Sequence, residues 1–201
     1  MGLANSMEHK YLFHYLHRGN LMIIDIVKTA KEIKVNLPDL ITRPVGREMF
    51  AVTIKKSVII SVSETVILNF NGIKVLDSSF IDEYLVKLIL DSRIKDYYIK
   101  LKNISNISEI NIDSLFSSYS NYNKSKIAVA KEEIGNNGRF YIGSIGEHER
   151  DIINYLRTNS GTGVDDISRF IGIDANELKL ILEQLSFLRL IKRYNGEFTA
   201  V

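Results

Sequence analysis

The chain has no cysteine in its 201 residues. Disulfides, thiolate metal sites and cysteine nucleophiles are thereby excluded, and a reducing compartment is compatible with the composition. A charge excess is missing too: 26 Lys and Arg stand against 24 Asp and Glu, a formal net charge of +2. That balance gives no whole-chain argument for nucleic acid or an anionic membrane as partner, because such partners leave a concentrated basic face. No apolar run reaches the roughly 18 residues that span a bilayer, and the start MGLANSMEHK lacks the continuous apolar core of a signal peptide. The expected compartment is the cytoplasm. There is no phosphate loop of the G-x-x-x-x-G-K-[ST] type, no G-x-S-x-G elbow and no H-E-x-x-H. His14 and His17 have a spacing that suits a metal on a helix, but no third His, Asp or Glu lies within four residues of either. The expectation is a protein that acts by binding, without catalysis, cofactor or metal.

An apolar fraction of 45% is ordinary for a folded soluble chain. Residues 1–19 read as an N-terminal segment, those before Met7 as a cloning remnant and MEHKYLFHYLHRG as near-helical in its spacing. LMIIDIV suits a strand, and Pro44 in TRPVGREMFAVTIKKSV suits the first turn of a helix to about residue 57. TVILNF reads as a strand, SFIDEYLVKLILD as a helix, DYYIKLKNI as a strand and SEINIDSLFSSYSNY as a helix. This alternation predicts an α/β domain over 20–124. The polar, glycine-containing text of 125–146 reads as a linker with one short hairpin around GNNG.

Within VILNFNGIKVLDSSFIDEYLVKLI a strand, a turn and a second apolar piece lead to Asp77-Ser78-Ser79 at a helix start. This order resembles the STAS domain of anti-sigma-factor antagonists, whose D-S-[SA]-G motif carries a regulatory phosphoserine. Phe80 stands where those antagonists have glycine, and SSFIDEYL with TRPVGREM is closer to an uncharacterised STAS-like prokaryotic family. The resemblance covers about residues 40–118. It implies a mixed sheet with helices, and it makes Ser78, with Asp77 and Ser79, a candidate phospho-switch or partner contact. A phosphate there would meet the positive end of a helix, yet Asp77, Asp82 and Glu83 crowd the same turn. The plainer reading is that Ser78 or Ser79 caps the helix, Ser79 facing Asp82 in a capping box. Arg43 and Arg47 are candidates for an anion or acidic-partner contact, or simply exposed charge at a helix start.

Residues 147–201 differ in kind. EHERDIINYLRTN, VDDISRFIGI and DANELKLILEQLSFLRL read as three helices, the last with Asp174 as N-cap, and IKRYNGEFTAV as a hairpin turning at Asn195-Gly196. The order resembles a winged helix-turn-helix domain of prokaryotic regulators. In a DNA-binding version the third helix and the wing would present Lys179, Gln184, Lys192, Arg193 and Tyr194. Against that, residues 147–201 carry seven Lys or Arg and nine Asp or Glu, a net of −2, whereas phosphate contact dominates DNA affinity. The resulting expectation is a transcription regulator, acting as a homodimer, with a STAS-like sensing domain and a DNA-binding winged helix. The alternative is a protein-protein adaptor whose winged helix binds protein, and the remote one is an enzyme built around a small-molecule pocket.

Overall fold

The computed structural model describes residues 21–57, 63–132 and 138–201. The segment carrying His14 and His17 and the GNN part of the GNNG turn lie outside the described residues. Strand β1 (Leu21–Asp25) ends on the residue that starts a helix: the Asp25 carboxylate accepts the Lys28 amide at 2.9 Å, and α1 (Ile26–Glu32) follows. The strand expected to run on to Val27 is cut short by that cap.

Next come β2 (Asp39–Leu40), α2 (Arg43–Ser57), β3 (Thr65–Asn69) and β4 (Val75–Leu76). Helix α3 (78–95) is continuous but not uniform. It is α-helical over Ser78–Ile81, π-helical over Asp82–Val86 and α-helical again over Lys87–Lys95, closing at Asp96 with φ 56°. Strand β5 (Tyr98–Lys102) and helix α4 (Asn106–Asn123) follow. Ser105 caps α4 by accepting the Ser108 amide at 3.2 Å.

The short hairpin expected within 125–146 is present, but it belongs to the far side of the sheet and not to a linker. Strands β6 (Ala128–Lys131) and β7 (Tyr141–Gly143) pair antiparallel, and β6 pairs parallel with β5. The pairing with β5 was not legible because the strands are only four and three residues long, too short for a periodic signal. The mixed sheet has the order β1-β3-β5-β6-β7, with only β7 antiparallel to its neighbour, while β2 and β4 form a separate parallel pair. The α/β class is as expected.

Both faces of this sheet are covered over its central strands, as a mainly parallel sheet requires, whereas Ile23 on the edge strand β1 stays exposed. On one face Ile24, Val66, Leu68, Ile99, Leu101, Val129 and Ile142 pack with Ile26, Met49, Phe80, Tyr84, Ile112 and Phe116 of α1 to α4. On the other, Tyr98, Ala128, Ala130 and Tyr141 join the core of the C-terminal unit. That unit consists of α5 (Glu147–Thr158), α6 (Val164–Ile171), α7 (Ala175–Phe187) and the hairpin β8 (Ile191–Tyr194) and β9 (Glu197–Ala200). Asp174 caps α7 by accepting the amides of Asn176 and Glu177, and Asn195 and Gly196 turn the hairpin with φ 49° and 86°. Three helices and a hairpin are therefore present in the expected order, and they form a third layer of the molecule.

Helix α2 lies close against α3 because position 46 has no side chain. A methyl group there would sit 2.9 Å from Glu83 Cβ and 3.0 Å from the Phe80 carbonyl oxygen. Gly46→Ala gains about 1 kcal/mol in helix propensity. It loses about 1–3 kcal/mol to overpacking against backbone that cannot yield. A net loss of stability is expected in a denaturant titration, with α3 the first element to lose amide protection.

Candidate functional site

The carboxylate of Asp77 organises the end of α3. It accepts the Phe80 amide at 2.7 Å and so caps the helix, and it accepts the Thr42 amide at 3.2 Å just before α2 begins. The Ser79 hydroxyl donates to both Asp77 oxygens, at 3.1 and 3.0 Å. The cap is thus Asp77, and neither Ser78 nor Ser79 serves as one. A serine was expected because serines favour N-caps, but the aspartate one residue earlier holds the extended backbone (φ −85°, ψ 163°) that a cap needs. Strand β4 is held from the other side, the Leu76 amide donating to Ser108 Oγ at 3.1 Å and Asn111 Nδ2 to the Leu76 carbonyl at 2.8 Å.

Ser78 is exposed and lines an open surface cavity of about 610 Å³. Around it stand Arg43, Asp82, Leu115, Ser118, Tyr119 and Tyr122, so α2, α3 and α4 all contribute. Arg43 and Arg47 are not unpartnered charge. Arg43 donates to Asp82 at 2.8 Å and to Glu83 at 3.1 Å, and Arg47 donates to Glu83 at 3.1 Å. Glu83, buried at 5% exposure, also takes a very short contact from Lys87. Hydrogen bonds from Arg47, then Lys87 and Arg43, hold its carboxyl down to about 2 against the upward push of burial. Glu83 is a hub that reading by sequence missed. Its signal was present in the i to i+4 spacing of Glu83 and Lys87, but the arginine partners lie far away in sequence.

The candidate DNA-contact residues are dispersed. Lys192 turns inward, its Nζ donating to the Ser63 carbonyl at 3.2 Å and lying 4.9 Å from the centre of the Tyr98 ring. Burial, then Lys100, pushes its ammonium down to about 8, with Glu64 acting the other way. Gln184 is half-buried, and Lys179, Arg193 and Tyr194 are exposed. Lys179 and Arg193 border a cavity of about 480 Å³ whose other walls include Ser63, Asp96 and Tyr98 of the sheet domain. This seam is closed by Arg189, which binds the Asp96 carboxylate and donates to the Arg93 carbonyl at 3.2 Å. Arg93 in turn donates to the Lys126 carbonyl at 3.1 Å and lies 4.4 Å over the Phe187 ring. Neither seam arginine was singled out by sequence, because each looks like ordinary surface charge.

No group of His, Asp or Glu among the described residues is arranged to hold a metal ion, and no helix among them is long and apolar enough to cross a membrane. Neither protein-family models nor curated protein sequences give a match to this chain.

Two outcomes follow from the local chemistry. Asp77→Ala is expected to cost about 1 kcal/mol or somewhat more, the worth of an N-cap. Ser78→Ala should stay within about 0.5 kcal/mol, as an exposed substitution does, and urea titration of both variants measures the contrast. Because the folded pKa of Glu83 lies below its ordinary 4.5, its contribution is complete above pH 4.5 and is lost as pH falls towards 2. Melting temperatures across that window should fall steeply for the native chain and more shallowly for Glu83→Gln, which starts from a lower value at pH 7.

Proposed function

We propose that the chain is a non-enzymatic regulatory protein, a STAS-like domain joined to a winged-helix unit, that acts by holding a protein partner. The observation that carries this reading is the inward direction of two of the basic groups around α7 and the hairpin. Lys192 faces Tyr98, and Arg189 is paired with Asp96. A groove-reading helix needs its outer face clear of its own protein, and phosphate contact needs cations in solvent. The unit's net charge of −2 points the same way.

The surface suited to a protein lies around Ser78 and along α4. Glu109 and Asp113 are the charged residues of that helix, and both are turned towards the sheet, pairing with Lys131 and accepting the Gly143 amide. Its exposed residues include Ile107, Ile110, Ser114, Ser118 and Tyr122, all uncharged, with Ile110 67% and Tyr122 88% exposed. Charge-poor surface with exposed aromatic and aliphatic groups has the composition of an interface core. A phosphate on Ser78 would bring nearly two negative charges beside Asp77 and Asp82 and compete for Arg43, which would weaken docking here.

A second reading, a DNA-binding transcription regulator, is favoured by Lys179 and Arg193, exposed cations that form no ion pair among the described residues. The two readings separate in one pair of measurements. With a photo-crosslinking residue at Tyr122 or at Leu180, in the host cell, adducts with one discrete protein are expected from position 122. With fragments of the host genome, no binding tighter than the non-specific range of about 10⁻⁴ to 10⁻⁶ M is expected at physiological salt. Sequence-selective binding whose affinity falls steeply with salt would overturn the adaptor reading and establish the second.

A further inference from the structure

Along α7 the residues Lys179, Leu182, Glu183 and Ser186 are spaced i, i+3, i+4 and i+7, which puts them on one stripe of the helix. All four line the cavity of about 480 Å³ between the C-terminal unit and the sheet domain. Leu182 is buried there and Ser186 half-buried, while Lys179 and Glu183 are exposed. Ser63, Asp96 and Tyr98 of the sheet domain form the opposite wall, and the hairpin adds Arg193 and Phe198. Those two stand opposite each other in register on β8 and β9, with the guanidinium 5.7 Å from the ring centre.

The lining divides into an apolar floor and a charged rim. Leu182, Tyr98 and Phe198 are each 5% exposed or less, and Val164 is half-buried beside them. Of the charged groups, Asp96 is already matched, its carboxylate bound by Arg189 and accepting the Ser63 hydroxyl at 3.4 Å. That leaves Lys179, Arg193 and Glu183, none of which forms an ion pair among the described residues. Two cations against one carboxylate leave the rim with a single positive charge in excess. The Ser186 hydroxyl, likewise without a hydrogen bond among the described residues, adds a donor. An apolar floor under a few polar groups of net positive sign is the lining that holds a small amphiphilic anion.

We propose that this seam cavity binds a small organic carboxylate with an apolar body, the carboxylate held by Lys179 and Arg193 and the body set against Leu182, Val164 and Phe198. The planar fork of Arg193 suits both oxygens of one carboxylate, and Lys179 adds a point charge. A singly charged acid matches the single excess charge of the rim, which a phosphate monoester would exceed. Because Ser63 and Asp96 come from the sheet domain and the other lining residues from the C-terminal unit, the bound acid touches both layers. No residue of α4 takes part, so the site stands or falls independently of a partner docked there.

The test follows the amide resonances of the isotope-labelled full chain during titration with phenylacetate, hexanoate, acetate and benzyl alcohol at constant ionic strength. Saturable shifts at the residues around the cavity are expected from phenylacetate or hexanoate, with a dissociation constant of about 1 mM or tighter. Tighter phenylacetate binding would assign an aryl acid, and tighter hexanoate binding an aliphatic one. Acetate lacks the apolar body and benzyl alcohol lacks the charge, so both should bind at least about tenfold more weakly. Lys179→Gln and Arg193→Gln should each weaken binding by about tenfold, the worth of one charge-assisted contact. Glu183→Gln should tighten it, because the carboxylate four residues from Lys179 competes for the same cation. All three positions are exposed, so the variants keep the fold. Arg169→Gln, at an exposed site on α6 where Arg169 meets Asp166, should bind as the native chain does. Absence of saturable shifts around the cavity at about 20 mM of either acid, well above millimolar affinity, would overturn the proposal. So would benzyl alcohol binding as tightly as phenylacetate, or undiminished binding by both the Lys179 and Arg193 variants.

Discussion

The molecule is organised by the need to bury strand β5 on both faces. Tyr97, Ile99 and Leu101 require one covering layer, and Tyr98 requires another. The first is supplied locally by the helices that connect the parallel strands. The second comes from residues 147–201, which for that reason form a layer and not a tethered appendage. Separating them would expose Tyr98, Tyr141 and two alanines of β6, a loss on the order of 5 kcal/mol in transfer free energy alone. The arginine contacts at Asp96 and the Arg93 carbonyl then set the orientation of a unit that apolar burial already holds.

The same two-sided constraint explains the irregular helix. Four consecutive residues of α3, Glu83, Tyr84, Leu85 and Val86, are buried, which a regular amphipathic helix on a surface does not allow. Here α3 lies between the sheet and α2, and Gly46 lets α2 approach so closely that Glu83 is covered. A π-helical turn adds a residue to the repeat at this point and redirects the side chains that follow. Burying a carboxylate there is tolerable because three cations reach it from the solvent side. Asp77 at the start of the helix and the Glu83 cluster six residues later thus join α2 and α3 by polar contacts at their exposed edge and by glycine contact beneath.

Where elements were long, their pattern in the sequence was plain. The helices α2, α4, α5 and α7 and the strands β3 and β5 fall where periodicity and capping residues place them, and Asp174 and Asn195-Gly196 act as their local chemistry requires. Strands of three or four residues, β6 and β7, show as a hairpin through the GNNG text between them, but nothing in so short a pattern tells that they join the sheet. The Ser78 region was found because its motif is contiguous, but its cap, read as Ser78 or Ser79, is Asp77. The Glu83 cluster and the arginine seam were hidden, since their partners are separated by tens of residues and only the fold brings them together. Alternation in DYYIKLKNI did contain the position of Lys100, with tyrosine and lysines on one face and tyrosine, isoleucine and leucine on the other. What sequence could not reveal was that the lysine face is covered too.

The charges at the seam therefore fall into two kinds with different physical consequences. At the end of α3, Arg189 meets Asp96 and a carbonyl that ends a helix, so that edge is neutralised within the molecule. Nearer the middle of the sheet, Lys192 is held by the Ser63 carbonyl and the Tyr98 ring and forms no ion pair among the described residues, so its charge is balanced less completely beside the packing of Tyr98 and Tyr141. Burial holds the Lys192 ammonium down to about 8, so a rise in pH through that value removes its charge, while the arginine that meets Asp96 stays cationic and keeps its contact.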